Sequence, residues 1–377
     1  MPRCRHYLRA MATSMHTLTL ERSADDAPMS RTAKHLIADD RAMLRTAAEL
    51  TRDIAQPRPA IYWADLLASV ALGYPALVLA ATTGSTALAI AAGVVAMLAL
   101  YRAISFIHEV SHMKHSALPG FRLGWNALVG VPLLTPSFMY EGVHNLHHAR
   151  TRYGTSEDPE YLPLALMKPW TLPLFILVAA LAPVALLVRY AILSPLSVVV
   201  PGLRTIVVER YSALAINPQF RRRAPEGEAR AQWNRIEAAA SVWAIAIVAL
   251  VATGLVPLRS LLIAFGIVSA VAVVNQVRTL VAHLWENEGE AMTVTAQYLD
   301  SVNVPPPALL PALWAPVGLR YHALHHLLPS LPYHSLGEAH RRITAALDAD
   351  SPYHKASYAG LPGLVAQIAR STMKIGR

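Results

Sequence analysis

Three histidine clusters are the residues best placed to do chemistry in this chain: His108-Glu-Val-Ser-His112, His144-Asn-Leu-His147-His148 and His322-Ala-Leu-His325-His326. On a helix turning about 100° per residue, positions i and i+4 share a face, and i, i+3 and i+4 fall within an arc of about 100°. Each cluster can therefore aim its imidazoles at one point. Eight neutral imidazoles gathered together need partners for their ring nitrogens, and metal ions supply them. A zinc-type site uses about four ligands, so eight rings imply two ions. Imidazole suits zinc, copper, iron and nickel alike, which leaves the metal open on ligand type alone.

Neighbouring residues extend the set. His115 lies three positions beyond His112, and His283 closes the last long apolar run; both are candidate ligands. Thr279 stands one helical turn before His283 and Gln276 two turns before it, where either could orient a ligand or a bound water. The loop Glu157-Asp158-Pro159-Glu160 follows His148 and could accept hydrogen bonds from the distal nitrogens of ligating rings; a solvated acidic turn is the alternative. Asp300 and Glu286 are weaker candidates for the same task. The isolated His6, His16, His35, His334, His340 and His354 read as ordinary structural histidines. One competing motif is His108-Glu109-x-x-His112, the pattern of zinc metalloproteases, in which the glutamate activates a water. It leaves the other six clustered histidines without a role.

The elements that must position these rings are apolar. The chain has 377 residues, 54% hydrophobic and 15% charged, with a mean hydropathy of +0.35. Average soluble domains carry about 25% charge, so the shortfall points to lipid. The single Cys4 excludes a disulfide framework and a cysteine-ligated cluster. Only five of the 33 basic residues are lysine, which with the abundant alanine suggests a GC-rich bacterial gene. Residues 62–81 and 86–107 are each long enough to span hydrocarbon and are joined by a short uncharged turn. Residues 238–256 and 258–282 form a second such hairpin. The run 172–200 is apolar but holds Pro173, Pro183, Pro195 and Arg189, which suits a re-entrant or interfacial piece.

Arginines crowd 101–170, 202–235 and 285–377 and avoid the hairpin turns, so the positive-inside rule puts all these segments, and the histidines, in the cytoplasm. The expected fold is all-α and integral to the membrane, with four transmembrane helices and a helical cytosolic cap. Residues 1–58 are polar and lack a signal peptide. Ser30 could cap an amphipathic helix carrying Leu36, Ile37, Met43, Leu44, Ala47, Leu50 and Ile54, lying on the bilayer or on the main domain. The expected organisation is thus 1–58 as an N-terminal segment, 59–347 as the main domain and 348–377 as a cytoplasmic tail. Basic residues that accompany membrane segments, without a nucleic-acid module, argue against nucleic acid.

With these residues in view, the chain resembles the membrane fatty acid desaturase family, whose hallmark is three histidine boxes of the form HxxxH, HxxHH and HxxHH. The third box continues as His322-Ala-Leu-His325-His326-Leu-Leu-Pro-Ser-Leu-Pro-Tyr-His-Ser-Leu, which is similar to the family's run nearly throughout. The resemblance covers about residues 61–347. It implies two non-haem irons held by His108, His112, His144, His147, His148, His322, His325 and His326, with His283 matching an extra histidine that some members supply. Two departures stand out: Glu109 where many members have aspartate, and Thr279 where some have a water-holding asparagine.

The resemblance further implies oxygen-dependent desaturation of a long acyl chain, with dioxygen as co-substrate and membrane lipid around it. Hydroxylation by the same architecture, on acyl or carotenoid-type substrates, stays open. No haem, flavin or nicotinamide module is evident, so electrons would come from an external donor such as a ferredoxin, or a cytochrome with its reductase. Arg221, Arg222 and Arg223 could dock an acidic donor, and Arg150 and Arg152 could meet a substrate head group; anionic lipid or the cytoplasmic rim are their plainer settings. A bacterial inner membrane is the implied location.

Overall fold

The computed structural model describes residues 36–375 except residue 309, and it is helical throughout; among the described residues only isolated β-bridges occur. In chain order the helices used below are α1 (Arg41–Thr51), α2 (Pro59–Thr82), α3 (Thr86–His112), α4 (Phe121–Trp125), α5 (His144–His147), α6 (Thr171–Val199), α7 (Pro201–Tyr211), α8 (Gly227–Ala252), α9 (Leu258–Leu280), α10 (Val294–Asp300), α11 (Pro311–Trp314), α12 (His322–Leu327), α13 (Leu336–Ala346) and α14 (Leu361–Ile375).

Five of these, α2, α3, α6, α8 and α9, are long and apolar enough to cross a membrane. Helices α2 and α3 form the first expected hairpin, with the Ser85 side chain capping α3 by accepting from the Leu88 amide. Gly73 lets them approach, since a Cβ there would stand 2.8 Å from Leu100. Ala80, Ala92 and Ala96 pack with Ile267 of α9, the small-residue contact that lets helix backbones approach in lipid. Leu72, Val78, Ile90, Val242 and Leu262 point outward, an apolar exterior suited to acyl chains.

The expected count of four spans departs from this set at α6. Its path is informative. Leu172 and Phe175 pack in one cluster with Trp285, the Ser269 hydroxyl of α9 donates to the Ala180 carbonyl, and Tyr190 lies against Met139, shortly before His144. A 3-10 turn at Val178–Leu181 and a π-turn at Arg189–Leu193 interrupt its regularity. Arg189, out of place in an apolar run, is buried and bonds Glu237 at 2.8 Å, the Ser194 and Ser212 hydroxyls and the Tyr211 carbonyl. A buried charge is tolerable when its donors are taken up in this way.

The cap over the histidine-bearing end is assembled from both ends of the chain. The expected cap Ser30 lies outside the described residues; α1 is capped by Asp40, whose carboxylate accepts from the Met43 amide. Met43 and Ala47 are fully buried in a cluster with Leu336, Ala339 and Ile343 of α13, so α1 lies on the main domain and not on a bilayer. Leu364 and Ile368 of α14 join the cluster that contains Trp285.

Candidate metal centre

The histidines converge as two adjacent groups. His108, His112, His144, His148 and His325 form the first; His147, His283, His322 and His326 form the second; within each, one ligand atom per residue lies within 4.8 Å of every other. This corrects the expectation that each box aims at a single point. In the second box the i, i+4 pair His144 and His148 serves the first group while His147 turns to the second. The third box does the reverse: His322 and His326 go to the second group and His325 to the first. The physical reason is helical: a four-residue step returns about 40° from its start, whereas a three-residue step ends about 60° away on the other side.

The Nε2 atoms face one another. They approach at 3.0 Å for His148 and His144, 3.0 Å for His325 and His112, and 3.1 Å for His325 and His148. In the second group the approaches are 3.2 Å for His147 and His283, 3.0 Å for His322 and His283, and 3.2 Å for His326 and His322. Imidazole nitrogens held at about 2.1 Å from one ion lie about 3.0 Å apart in octahedral and about 3.4 Å in tetrahedral geometry, so this spacing fits shared ions. Neither ring nitrogen of buried His108 has a hydrogen-bond partner. Such buried orphans are costly unless a ligand takes them up. The groups touch, with the His148 and His326 rings 4.3 Å apart between centroids.

Burial keeps the rings neutral, the form that binds metal. It pushes the pKa of His144, His148, His322, His325 and His326 well below the usual value. For His147 burial acts the same way, but the charge of Asp158, its hydrogen bond, and Glu160 outweigh it and hold the pKa above the usual value.

Outer partners fix several rings. Asp158, fully buried, takes His147 Nδ1 at 2.9 Å and the amides of Gly154 and Glu160 at 2.8 Å each. Gly154 is required there: its φ is +70°, and a Cβ would meet Asn287 Nδ2 at 2.4 Å. Glu160, whose carboxyl burial pushes up to about 7, accepts from Tyr140 and faces His144 Nδ1 at 2.8 Å. Glu157 is exposed and pairs with Arg152, so the two readings of that loop divide between its residues. Glu109 accepts from the Tyr62 hydroxyl at 2.5 Å and the Tyr333 amide at 3.1 Å, pinning the tail of the third box against the first.

Other expected residues fall elsewhere. His115 is exposed, its Nε2 2.6 Å from Arg122, and belongs to neither group. His283 Nδ1 lies 2.9 Å from the Tyr153 hydroxyl and 3.1 Å from that of Ser301; the Ser301 proton goes to the Gln297 carbonyl and the Tyr153 proton to Asp300, so with Nε2 toward the centre Nδ1–H donates to these oxygens. Tyr161 likewise donates to Asp300. Tyr153, Ser301 and Tyr140 carried no signal in the sequence, because hydroxyls are common and only the fold brings these to the rings. Arg222 is not a free docking residue. It donates to the carbonyls of Phe138, Ser212 and Glu141 and stacks 4.3 Å over Trp233. Arg150 pairs with Asp39.

An all-helical membrane protein with two touching imidazole groups at the end of its bundle is a definite class, and comparison places it. The fatty acid desaturase family matches residues 85–358, and the chain belongs to that family of membrane oxidoreductases. Among its relatives is a ceramide hydroxylase of Caulobacter vibrioides (strain NA1000 / CB15N), 53% identical over 324 residues, which cover 86% of this chain and 92% of the relative. No solved structure matches significantly.

Proposed function

We propose that this chain hydroxylates an acyl lipid of the ceramide class, using two irons held by the nine grouped histidines on the cytoplasmic face of a bacterial inner membrane. The observation that carries this reading is the convergence of His108, His112, His144, His148 and His325 beside His147, His283, His322 and His326 in a chain so similar to a ceramide hydroxylase. Iron supplies what no side chain can, activation of dioxygen against an unactivated C–H bond, with two external electrons and two protons reducing the second oxygen atom to water.

The chain's own residues hold, orient and shield. Asp158 sets His147 with Nε2 toward the centre, and the Tyr153 and Ser301 hydroxyls set His283 in the same way. Tyr140 and Glu160 do this for His144. His112 and His148 are only half-buried and lie beside exposed Lys114 and Arg150, which makes this rim the approach for an acidic electron donor such as a ferredoxin, or a cytochrome with its reductase. In the same reading α6 is re-entrant, which keeps the segments carrying the first and last boxes on one face.

Desaturation is the second reading, supported by the matched family. Both reactions begin at the same C–H bond and differ in whether oxygen is transferred or a neighbouring hydrogen is removed. The test is expression in a bacterial host supplied with ceramides, followed by mass spectrometry of its lipids. Gain of one oxygen atom supports hydroxylation and loss of two hydrogens supports desaturation. An unchanged lipid profile from iron-replete protein with a competent donor overturns both, and peptide cleavage abolished by Glu109→Gln points to the protease reading instead.

A further inference from the structure

Arg278 lies near the histidine end of α9, in a segment otherwise suited to lipid, and no carboxylate among the described residues pairs with it. Its Nη2 donates to Asn275 Oδ1 at 3.1 Å, while its Nε is buried with no partner. A guanidinium in this position without an anion is expensive, and such residues mark functional sites. The residue faces a narrow cleft whose other walls include His322 of the second group, Arg320, Trp314, Val302 and Leu319. Arg320 is occupied by the carbonyls of Val304 and Ala308. Leu310 and Leu313, around the start of α11, are strongly exposed, so the cleft lies under a loop with an apolar outer surface suited to the bilayer.

From this placement we infer that Arg278 is the anchor for an uncharged oxygen in the polar linkage of the lipid, an amide carbonyl or a hydroxyl, and so sets which carbon is oxidised. A ceramide-class lipid offers only uncharged oxygens at its polar end, and the buried Nε, beside a guanidinium that already meets Asn275 and Tyr101, is the donor placed to take one of them. The cleft borders His322 directly, so the oxygen bound there sits within a few bonds of the reacting carbon. Oxidation then falls next to the polar end of the lipid and not in the middle of its chain. Arg278 is a specificity-determining residue in this account, distinct from the metal-holding set. The inference rests on the acyl-lipid reading above.

The test compares binding of a short-chain ceramide with that of a neutral hydrocarbon analogue of matched length, in which methylenes replace the whole amide linkage and the hydroxyls are removed. The metal-loaded protein is used in nanodiscs without reductant, so that binding is read without turnover. Wild type should prefer the ceramide by about 10–100-fold, the range for a hydrogen bond to a charged donor. Arg278→Leu and Arg278→Lys should retain both metal ions and lose most of that preference, and turnover of either should spread the product over several carbons. Equal affinity of wild type for the two lipids overturns the inference even if neither variant folds. A variant that keeps the preference and the product position also overturns it, while wild-type lipid oxidation would leave the acyl-lipid reading standing. Wild type that binds and oxidises no acyl lipid defeats both.

Discussion

The two imidazole groups differ in how they are enclosed. In the second group all four rings are buried, and two are gripped from behind: His147 by Asp158, and His283 by the Tyr153 and Ser301 hydroxyls. In the first group five rings gather, but His112 and His148 reach the surface, and among the described residues a carboxylate within hydrogen-bond distance stands behind His144 alone, Glu109 lying 3.7 Å from His108 Nδ1. A metal site with a complete outer layer holds its ion in a fixed geometry, while one with an open edge exchanges more readily with its surroundings. On the proposed reading the first group is the side from which small molecules and electrons would reach the centre, and the second is the side braced by the fold.

The largest expected effect tests whether the groups are metal sites at all. His147→Ala removes a ring from the second group and His325→Ala one from the first. Either substitution should abolish turnover and lower the metal content by at least one ion per chain, read by plasma mass spectrometry. Full metal and turnover in either variant would refute the assignment of that group.

Next comes the brace. Asp158→Asn should lower metal affinity by about 10–100-fold, and Glu160→Gln by less, because His144 keeps the Tyr140 hydroxyl. Competition with a chromophoric chelator gives both numbers, and a larger loss in Glu160→Gln would reverse the ranking of the two groups.

Chelation of the unmodified protein should be biphasic, with the faster phase belonging to the half-buried first group. Asp158→Asn should narrow the gap by accelerating the slow phase; a single phase in the wild type would mean that the two sites are equally enclosed. The smallest effects are expected away from both groups. His115→Ala and His354→Ala should leave metal content and turnover near wild type, since His115 pairs with Arg122 and His354 with the Asp348 carbonyl.

Much of this was legible in the chain. The hairpins α2/α3 and α8/α9 are written by runs of apolar residues that need no partner to be recognised, because length against bilayer thickness is a local property. The eight box histidines are likewise visible, since i, i+3 and i+4 spacing is a statement about one helix. Less was legible wherever a residue's role depends on another distant in sequence. Arg189 looked out of place until Glu237 was beside it, and nothing in the sequence singled out Asp40 as the cap of the helix Arg41–Thr51.

The sequence by itself determined the class of the protein and the set of rings, because composition and helical period are fixed residue by residue. Tertiary structure alone decided how the rings divide: His147 parts from its neighbours in the second box to join His283, and His325 crosses to the first group. It also decided that Tyr153 and Ser301 stand behind His283. The reason is that a ligand or its support is defined by direction and distance between separate elements, and a one-dimensional spacing carries neither once the chain has left the helix.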